Sequence, residues 1–180
     1  MSLGTVVGND EQIVRILHRD WIVDGMLQVS AFALRDKETY LSVNRPAIKT
    51  FSDDVRDFVM SHSAFKTGDD SNTYQRANFN VGEVRSISVS LKDKVANLAV
   101  EVEPRDSHYK SHAGIFTRIE GKNIKGGQQD SIVAREGETI SYEAIQMKVQ
   151  YALLALSKLE GCHLQAEEMS VDENSSVVKE

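Results

Sequence analysis

In the stretch Arg85-Ser86-Ile87-Ser88-Val89-Ser90-Leu91-Lys92-Asp93-Lys94-Val95-Ala96-Asn97-Leu98-Ala99-Val100-Glu101-Val102, apolar and polar residues change places at almost every step on either side of a short charged break. A period of two places alternate side chains on opposite faces of a strand, so each half reads as a strand with one buried face. Ile87, Val89 and Leu91 would form one such face, and Ala96, Leu98, Val100 and Val102 the other. With Lys92-Asp93-Lys94 as the turn, the two halves predict an antiparallel hairpin with one wet face. Pro104 ends the second strand, because proline cannot donate to a ladder.

The densest polar chemistry of the chain follows that proline: Arg105, Asp106, His108, Tyr109, Lys110 and His112, before Ala113-Gly114-Ile115-Phe116 turns apolar again. A polar loop hung from a rigid hairpin is a common place for a site. His108 and His112 stand four apart, which puts them on one face of a helix or a strand. With Asp106 they offer two nitrogens and a carboxylate, a set able to bind a transition metal. The zincin pattern needs Glu directly after the first His, and Tyr109 stands there, so no metal site is assigned and no cofactor is expected. The same residues suit acid–base chemistry on a phosphodiester. One imidazole would accept a proton, the other would donate one, and Lys110 would stabilise the developing charge. Arg45 or Arg105 would then hold a phosphate bidentately. The plainer reading of each is a solvated loop, or for Arg45 an ion pair with a carboxylate.

The remaining chemistry-bearing residues read as structural. His18, beside Asp20 and Trp21, and His62 suit helix ends. Cys162 follows Gly161 with only His163 as a basic neighbour in sequence, so a partly buried thiol is expected rather than a nucleophile. Gly-x-Ser-x-Gly, GxGxxG and CxxC are all missing from the sequence, which removes the usual cues for serine hydrolases, dinucleotide enzymes and thioredoxin-like proteins.

The 180 residues suit one domain with a real core, and a hydrophobic fraction of 41% with 27% charged residues is ordinary for a globular protein. A net charge of -6 argues against an extended nucleic-acid surface, though a small anionic ligand in a local basic pocket is compatible with it. A lone cysteine forms no internal disulfide, no apolar run reaches the ~20 residues of a membrane span, and residues 1–10 lack a signal-peptide pattern. A reducing cytoplasm without membrane attachment is the expected location.

Along the chain, Asn9-Asp10 followed by Ile13, Ile16 and Leu17 predicts a short helix, and Asp24-Gly25 a turn. Leu27–Leu34 and Tyr40–Val43, separated by Asp36-Lys37-Glu38, predict a second hairpin that Arg45-Pro46 ends. Ser52 would cap a helix over 53–61, and residues 67–72 are turn chemistry throughout. Thr117–Glu120 would continue a third strand, Gly121–Asp130 would be a flexible loop, and Ile132–Ala134 a short strand. Ser141–Glu160 predicts the longest helix, capped by Ser141 and ended by Gly161, with Ile145, Val149, Leu153, Leu156 and Leu159 as its stripe. Met147, Tyr151 and Leu154 widen that arc, which suggests packing on the sheet and on a second subunit. The fold class is therefore α+β: a mainly antiparallel sheet built from hairpins and packed by a long C-terminal helix, as a single domain over 1–165 with a polar, acidic tail over 166–180.

Gly25…Ala31-Phe32…Leu41-Ser42-Val43-x-Arg45, followed by His112-Ala113-x-Ile115, resembles a pattern in small bacterial proteins of unassigned function. The resemblance covers scattered positions over the first two-thirds of the chain and implies no activity. It singles out Arg45 and His112, both at strand ends, as a pair that could meet.

Two functions follow from these observations. The first is a non-enzymatic binding or assembly module, a homo-oligomer through the 141–160 helix. The second is an enzyme acting on a phosphate-containing substrate, a nucleotide or RNA, through His108, Lys110 and His112 with Arg45 and Arg105, with or without a metal.

Overall fold

Gln12–Leu17 forms strand β1 rather than a helix. Ile13, Val14 and Leu17 are all buried, so both faces of the strand are covered. A strand covered on both sides loses its clean alternation, and its apolar residues then mimic helical spacing. The computed structural model describes residues 6–49, 73–89, 98–105, 111–135 and 138–163. The helix expected over 53–61, the loop at 67–72, the turn at Lys92–Lys94 and the 166–180 tail lie outside the described residues.

Asp24 and Gly25, both at positive φ, turn the chain between β2 (Ile22–Val23) and β3 (Met26–Leu27). Both central residues at positive φ make the turn whose twist suits a tight hairpin. The second hairpin expected from sequence does not form. Val29–Phe32 is a short 3-10 turn that buries Ala31 and Phe32, and β4 (Leu41–Asn44) pairs instead with β1 and with β7 (His112–Ile119). β4 does end before Arg45-Pro46.

The central hairpin is also partnered differently. Beyond β5 (Thr73–Asn80), Val81–Arg85 is a short helix, α1, capped by Asn80, whose Oδ1 accepts from the Glu83 N–H at 3.1 Å. Ser86–Val89 is not a strand, although Ile87 and Val89 are buried. Ser86 and Ser88 alternate with them and are exposed, so the alternation reports one buried side without a ladder, and Ser86 itself is the helical C-cap of α1. The second half of the motif does form a strand, β6 (Leu98–Pro104), which pairs with β7 from Leu98↔Ile119 to Pro104↔Ala113. Residues 106–110, outside the described residues, therefore stand in sequence between the two strands of this hairpin.

Gly121–Asp130, expected as a flexible loop, is tied down. Glu120 and Gly121 turn β7 into β8 (Lys122–Asn123), Ile124 is 1% exposed, and Gly126 bridges to Asp36. A Cβ on Gly126 would stand 1.9 Å from the Arg35 carbonyl oxygen, so only glycine allows this approach. β9 (Ser131–Arg135) pairs with β10 (Glu138–Ser141). Helix α2 then runs Tyr142–Leu156, with the Ser141 hydroxyl accepting from the Ala144 N–H at 3.2 Å. It ends at Ser157, well before Gly161, and Lys158–His163 is strand β11. The predicted stripe loses Leu159 to that strand, because Lys158-Leu159-Glu160 alternates and finds the free side of β5 to pair with.

The large sheet runs β11-β5-β1-β4-β7-β6, with β8 added to β7, and every pairing in it is antiparallel. The fold is α+β with a mainly antiparallel sheet, as the sequence implies. Ile145, Val149 and Leu153 of α2 are buried in one core with Ile13, Phe79, Leu41, Val43, Ile115 and Val102. Each such side chain contributes about 1.5–3 kcal/mol on leaving water.

One seam interrupts the sheet. β1 and β4 share only the Val14↔Asn44 pair. Two arginines span the gap on either side of it. Arg15 donates from Nε to the Ala31 carbonyl (2.7 Å) and from Nη1 to the Ser42 carbonyl of β4 (2.9 Å). Arg45, just past β4, donates to both carboxylate oxygens of Glu11, just before β1, at 3.0 and 2.8 Å.

Candidate functional site

The register sorts the site residues onto two faces. Antiparallel partners share a face, so Leu41, Val43, Ala113 and Ile115 look toward α2, while Tyr40, Ser42, Asn44, His112, Gly114 and Phe116 occupy the other side. Arg45 is one step beyond Asn44 and falls on the core side. The expected meeting of Arg45 with His112 is thus made by backbone alone: the Arg45 N–H donates to the Ser111 carbonyl at 2.8 Å, and Asn44 is the partner of His112. The Arg45 side chain, 3% exposed, is committed to Glu11. This is the ion pair with a carboxylate that the sequence offers as its plainer reading. Burial works to raise the Glu11 carboxyl, but the Arg45 hydrogen bond, the Gly8 N–H and the charges of Arg45 and Arg85 outweigh it and hold the carboxyl below its usual value.

Arg105 and His112 do come together on the outer face, where the Arg105 N–H donates to the His112 carbonyl at 2.9 Å. The Arg105 guanidinium lies 4.5 Å from the centre of the Tyr40 ring and 5.6 Å from that of Phe116. The two rings are stacked at a tilt of 35° with centres 5.3 Å apart. Phe116 is 2% exposed yet stands outside the main core, because Tyr40, Arg105 and Arg118 cover it. Gly114 makes room for this shelf: a Cβ there would meet Tyr40 Cδ2 at 2.6 Å. Sequence reasoning missed Tyr40, Gly114 and Phe116. Their signal was the Tyr-x-Ser and His-x-Gly-x-Phe alternation, which becomes informative only once β4 and β7 are known to be neighbours.

His112 points at β4. Its Nε2 is 2.8 Å from the Ser42 hydroxyl oxygen, and its ring centre is 5.9 Å from that of Tyr40. Burial, then the charge of Arg105, lowers its pKa below the ordinary imidazole value. A neutral imidazole keeps one donor and one acceptor nitrogen, one of them occupied by Ser42.

The charges around the shelf are unequal. Arg85 Nε is 3.4 Å from the Glu101 carboxylate, and Arg118 Nη1 is 2.8 Å from that of Glu103. Arg118 Nε also donates to Asn123 Oδ1 at 2.8 Å. Arg105 has no carboxylate partner among the described residues, and its Nε–H is buried without an acceptor there. A guanidinium seated over two aromatic rings offers in-plane donors of the kind that suit a carboxylate or phosphate.

His108, Lys110 and Asp106 lie outside the described residues. Among the described residues no group of three or more His, Cys, Asp or Glu side chains is close enough to hold a metal ion. The cavity between α2 and the sheet, lined by Phe32, Thr117, Gln146 and Leu153 among others, has a volume of about 20 Å3, room for one water and not for an organic ligand. Among the described residues no helix is long and apolar enough to cross a membrane. Comparison with known proteins finds no matching family model, no matching curated protein and no matching solved structure.

Proposed function

We propose that the chain is a non-enzymatic binding module of the cytoplasm, and that it holds a small anionic ligand on the outer face of β4, β7 and β6. The observation that carries this reading is Arg105, a guanidinium laid on Tyr40 and Phe116 with a buried donor that no described residue accepts from. Leaving such a donor unmade costs about 1–3 kcal/mol, so a ligand oxygen placed there gains more than an ordinary surface contact. The test uses inorganic phosphate and benzoate as probes, with the Arg105 Nε–H and the His112 ring followed by NMR. Saturable shifts of both with at least one probe are expected. Arg105→Gln should abolish them, and Arg105→Lys should weaken them, because an ammonium keeps the charge but not the fork. Shifts that fail to saturate, or that survive in Arg105→Gln, would sink the reading.

The juxtaposition of Arg105 and His112 also supports a second reading, an enzyme acting on a phosphate-containing substrate. In it Arg105 takes the anchoring role that the sequence offers to Arg45 or Arg105, and His112 works with His108 and Lys110. Hydrolysis of a generic phosphodiester, lost in His112→Gln, would favour it over simple binding. Self-association through 141–160 belongs to the first reading, but within α2 only Met147 and Tyr151 are large, apolar and exposed, at 49% and 56%. Two side chains supply far less than the roughly 800 Å2 per partner of a standard interface.

A further inference from the structure

Strand β11 pairs with β5 along one side, from Lys158↔Asn78 to His163↔Thr73. On its other side no strand pairs with it among the described residues. Such an edge carries a row of unpaired N–H and C=O groups, which natural proteins usually blunt with an outward charge. Here the charges come as a set. Lys158 and Glu160 share the outer face of the sheet with Asn78 and Arg76, and Leu159 between them lies on the core side opposite Ala77. All three are exposed, Leu159 at 38%. Glu160 pairs with Arg76 at 2.6 Å, whereas Lys158 has no carboxylate partner among the described residues.

We infer that β11 is a self-association edge, and that a second copy of this chain adds its own β11 antiparallel to it across a two-fold axis at Leu159. A slip of one residue would turn every side chain to the wrong face, so registers that keep the two cores on one side differ by two residues. Two-fold axes on Gly161 or Cys162 of the six-residue strand set neither Lys158 nor Glu160 opposite a charge, and three choices remain with the axis within Lys158–Glu160. One sets Lys158 against Lys158 of the partner subunit, and one sets Glu160 against Glu160 of the partner subunit. Only the third, centred on Leu159, sets Lys158 against Glu160 of the partner subunit twice over. It also stacks the two Leu159 side chains over the axis, covering the apolar surface that the monomer leaves in water. Opposite charges facing each other across strands are favourable and like charges are not, so charge selects this register. The sheet would then run continuously from one copy into the next. The inference is independent of the anion site.

Sedimentation velocity across a concentration series tests it. The unaltered chain should dimerise reversibly. Lys158→Glu should weaken the dimer by roughly tenfold, since both cross-strand pairs become repulsive. The double exchange Lys158→Glu with Glu160→Lys should restore it, a rescue that a purely structural effect of either change would not give. Leu159→Cys in a Cys162→Ser background should form an intermolecular disulfide on mild oxidation, because cross-strand Cα separations suit that bond. A chain that stays monomeric throughout would overturn the inference. So would a dimer indifferent to Lys158→Glu, or a double exchange no better than the single one; the first of these would point to another surface.

Discussion

Glu11 shows how much a single half-buried carboxylate is asked to do. It accepts from both arms of Arg45 and from the Gly8 N–H at 2.8 Å, and so closes the N-terminal segment onto the end of β4. Removing one member of a buried pair costs more than the pair itself is worth, because the other charge is stranded. Glu11→Gln strands the deeply buried Arg45, whereas Arg45→Met leaves a carboxylate that still reaches water. We expect the first to cost about 3 kcal/mol and the second about 2, by urea unfolding. The pH dependence follows from the lowered carboxyl. The Glu11 contribution is complete above its ordinary unfolded value and is lost as pH falls through the lower folded one. In Glu11→Gln that part of the acid loss should be gone.

His112 behaves in the opposite chemical sense with the same slope. Its folded pKa lies below the unfolded one, so between the two values the unfolded chain binds more protons and stability falls as pH drops. The groups that face it are Arg105 and Glu103 from β6 and Tyr40 and Ser42 from the β4 side. A histidine NMR titration should place its midpoint below about 6.5, and Arg105→Gln should move it upward without reaching that value, because burial remains. A midpoint unmoved by the substitution would show that Arg105 does not act on the ring.

At the scale of elements, Gly114 is the position most sensitive to one added methyl on the outer face. Gly114→Ala should lift Tyr40 off β7 and cost about 1–3 kcal/mol, with a changed near-ultraviolet dichroism from the Tyr40 ring. Ser141→Ala, which removes the α2 cap, should cost about 1 kcal/mol with that signal unchanged. The contrast in legibility has a physical source. The start of helix α2 was readable because the Ser141 cap and the Ile145, Val149 and Leu153 stripe agree locally, whereas its expected end at Gly161 gave way to β11. The turn at Asp24-Gly25 and the stop before Arg45-Pro46 were readable because proline, glycine and aspartate restrict their own backbones. Strand partners were not, since alternation reports one buried side without saying against what. Ser86–Val89 has a buried side and no ladder, and Ile13–Leu17 lost its alternation to a second covered face. The site was half legible. Arg105 and His112 stood out as charged chemistry, but the rings that give Arg105 its setting come from Tyr40 and Phe116, brought together only by β4–β7 pairing.

On the scale of the whole molecule, the seam divides the sheet into two ribbons, β11-β5-β1 and β4-β7-β6, with one backbone bridge between them. Arg15 and Arg45 reach across it from opposite sides, and burial brings the Arg15 guanidinium down to about 10, still charged at neutral pH. Arg15→Met should therefore speed amide exchange along β1 and β4 while leaving the β6–β7 ladder protected. The two ribbons also carry different surfaces: the β11 edge belongs to one and the Arg105 shelf to the other. Such a sheet works like a book bound by a single stitch and two clasps, one an ion pair between Arg45 and Glu11 and the other Arg15 holding backbone carbonyls. Opening the binding would swing the Arg105 shelf relative to the β11 edge, so salt and acid, which loosen the Arg45–Glu11 clasp, would act on the angle between the two surfaces before they act on the surfaces themselves.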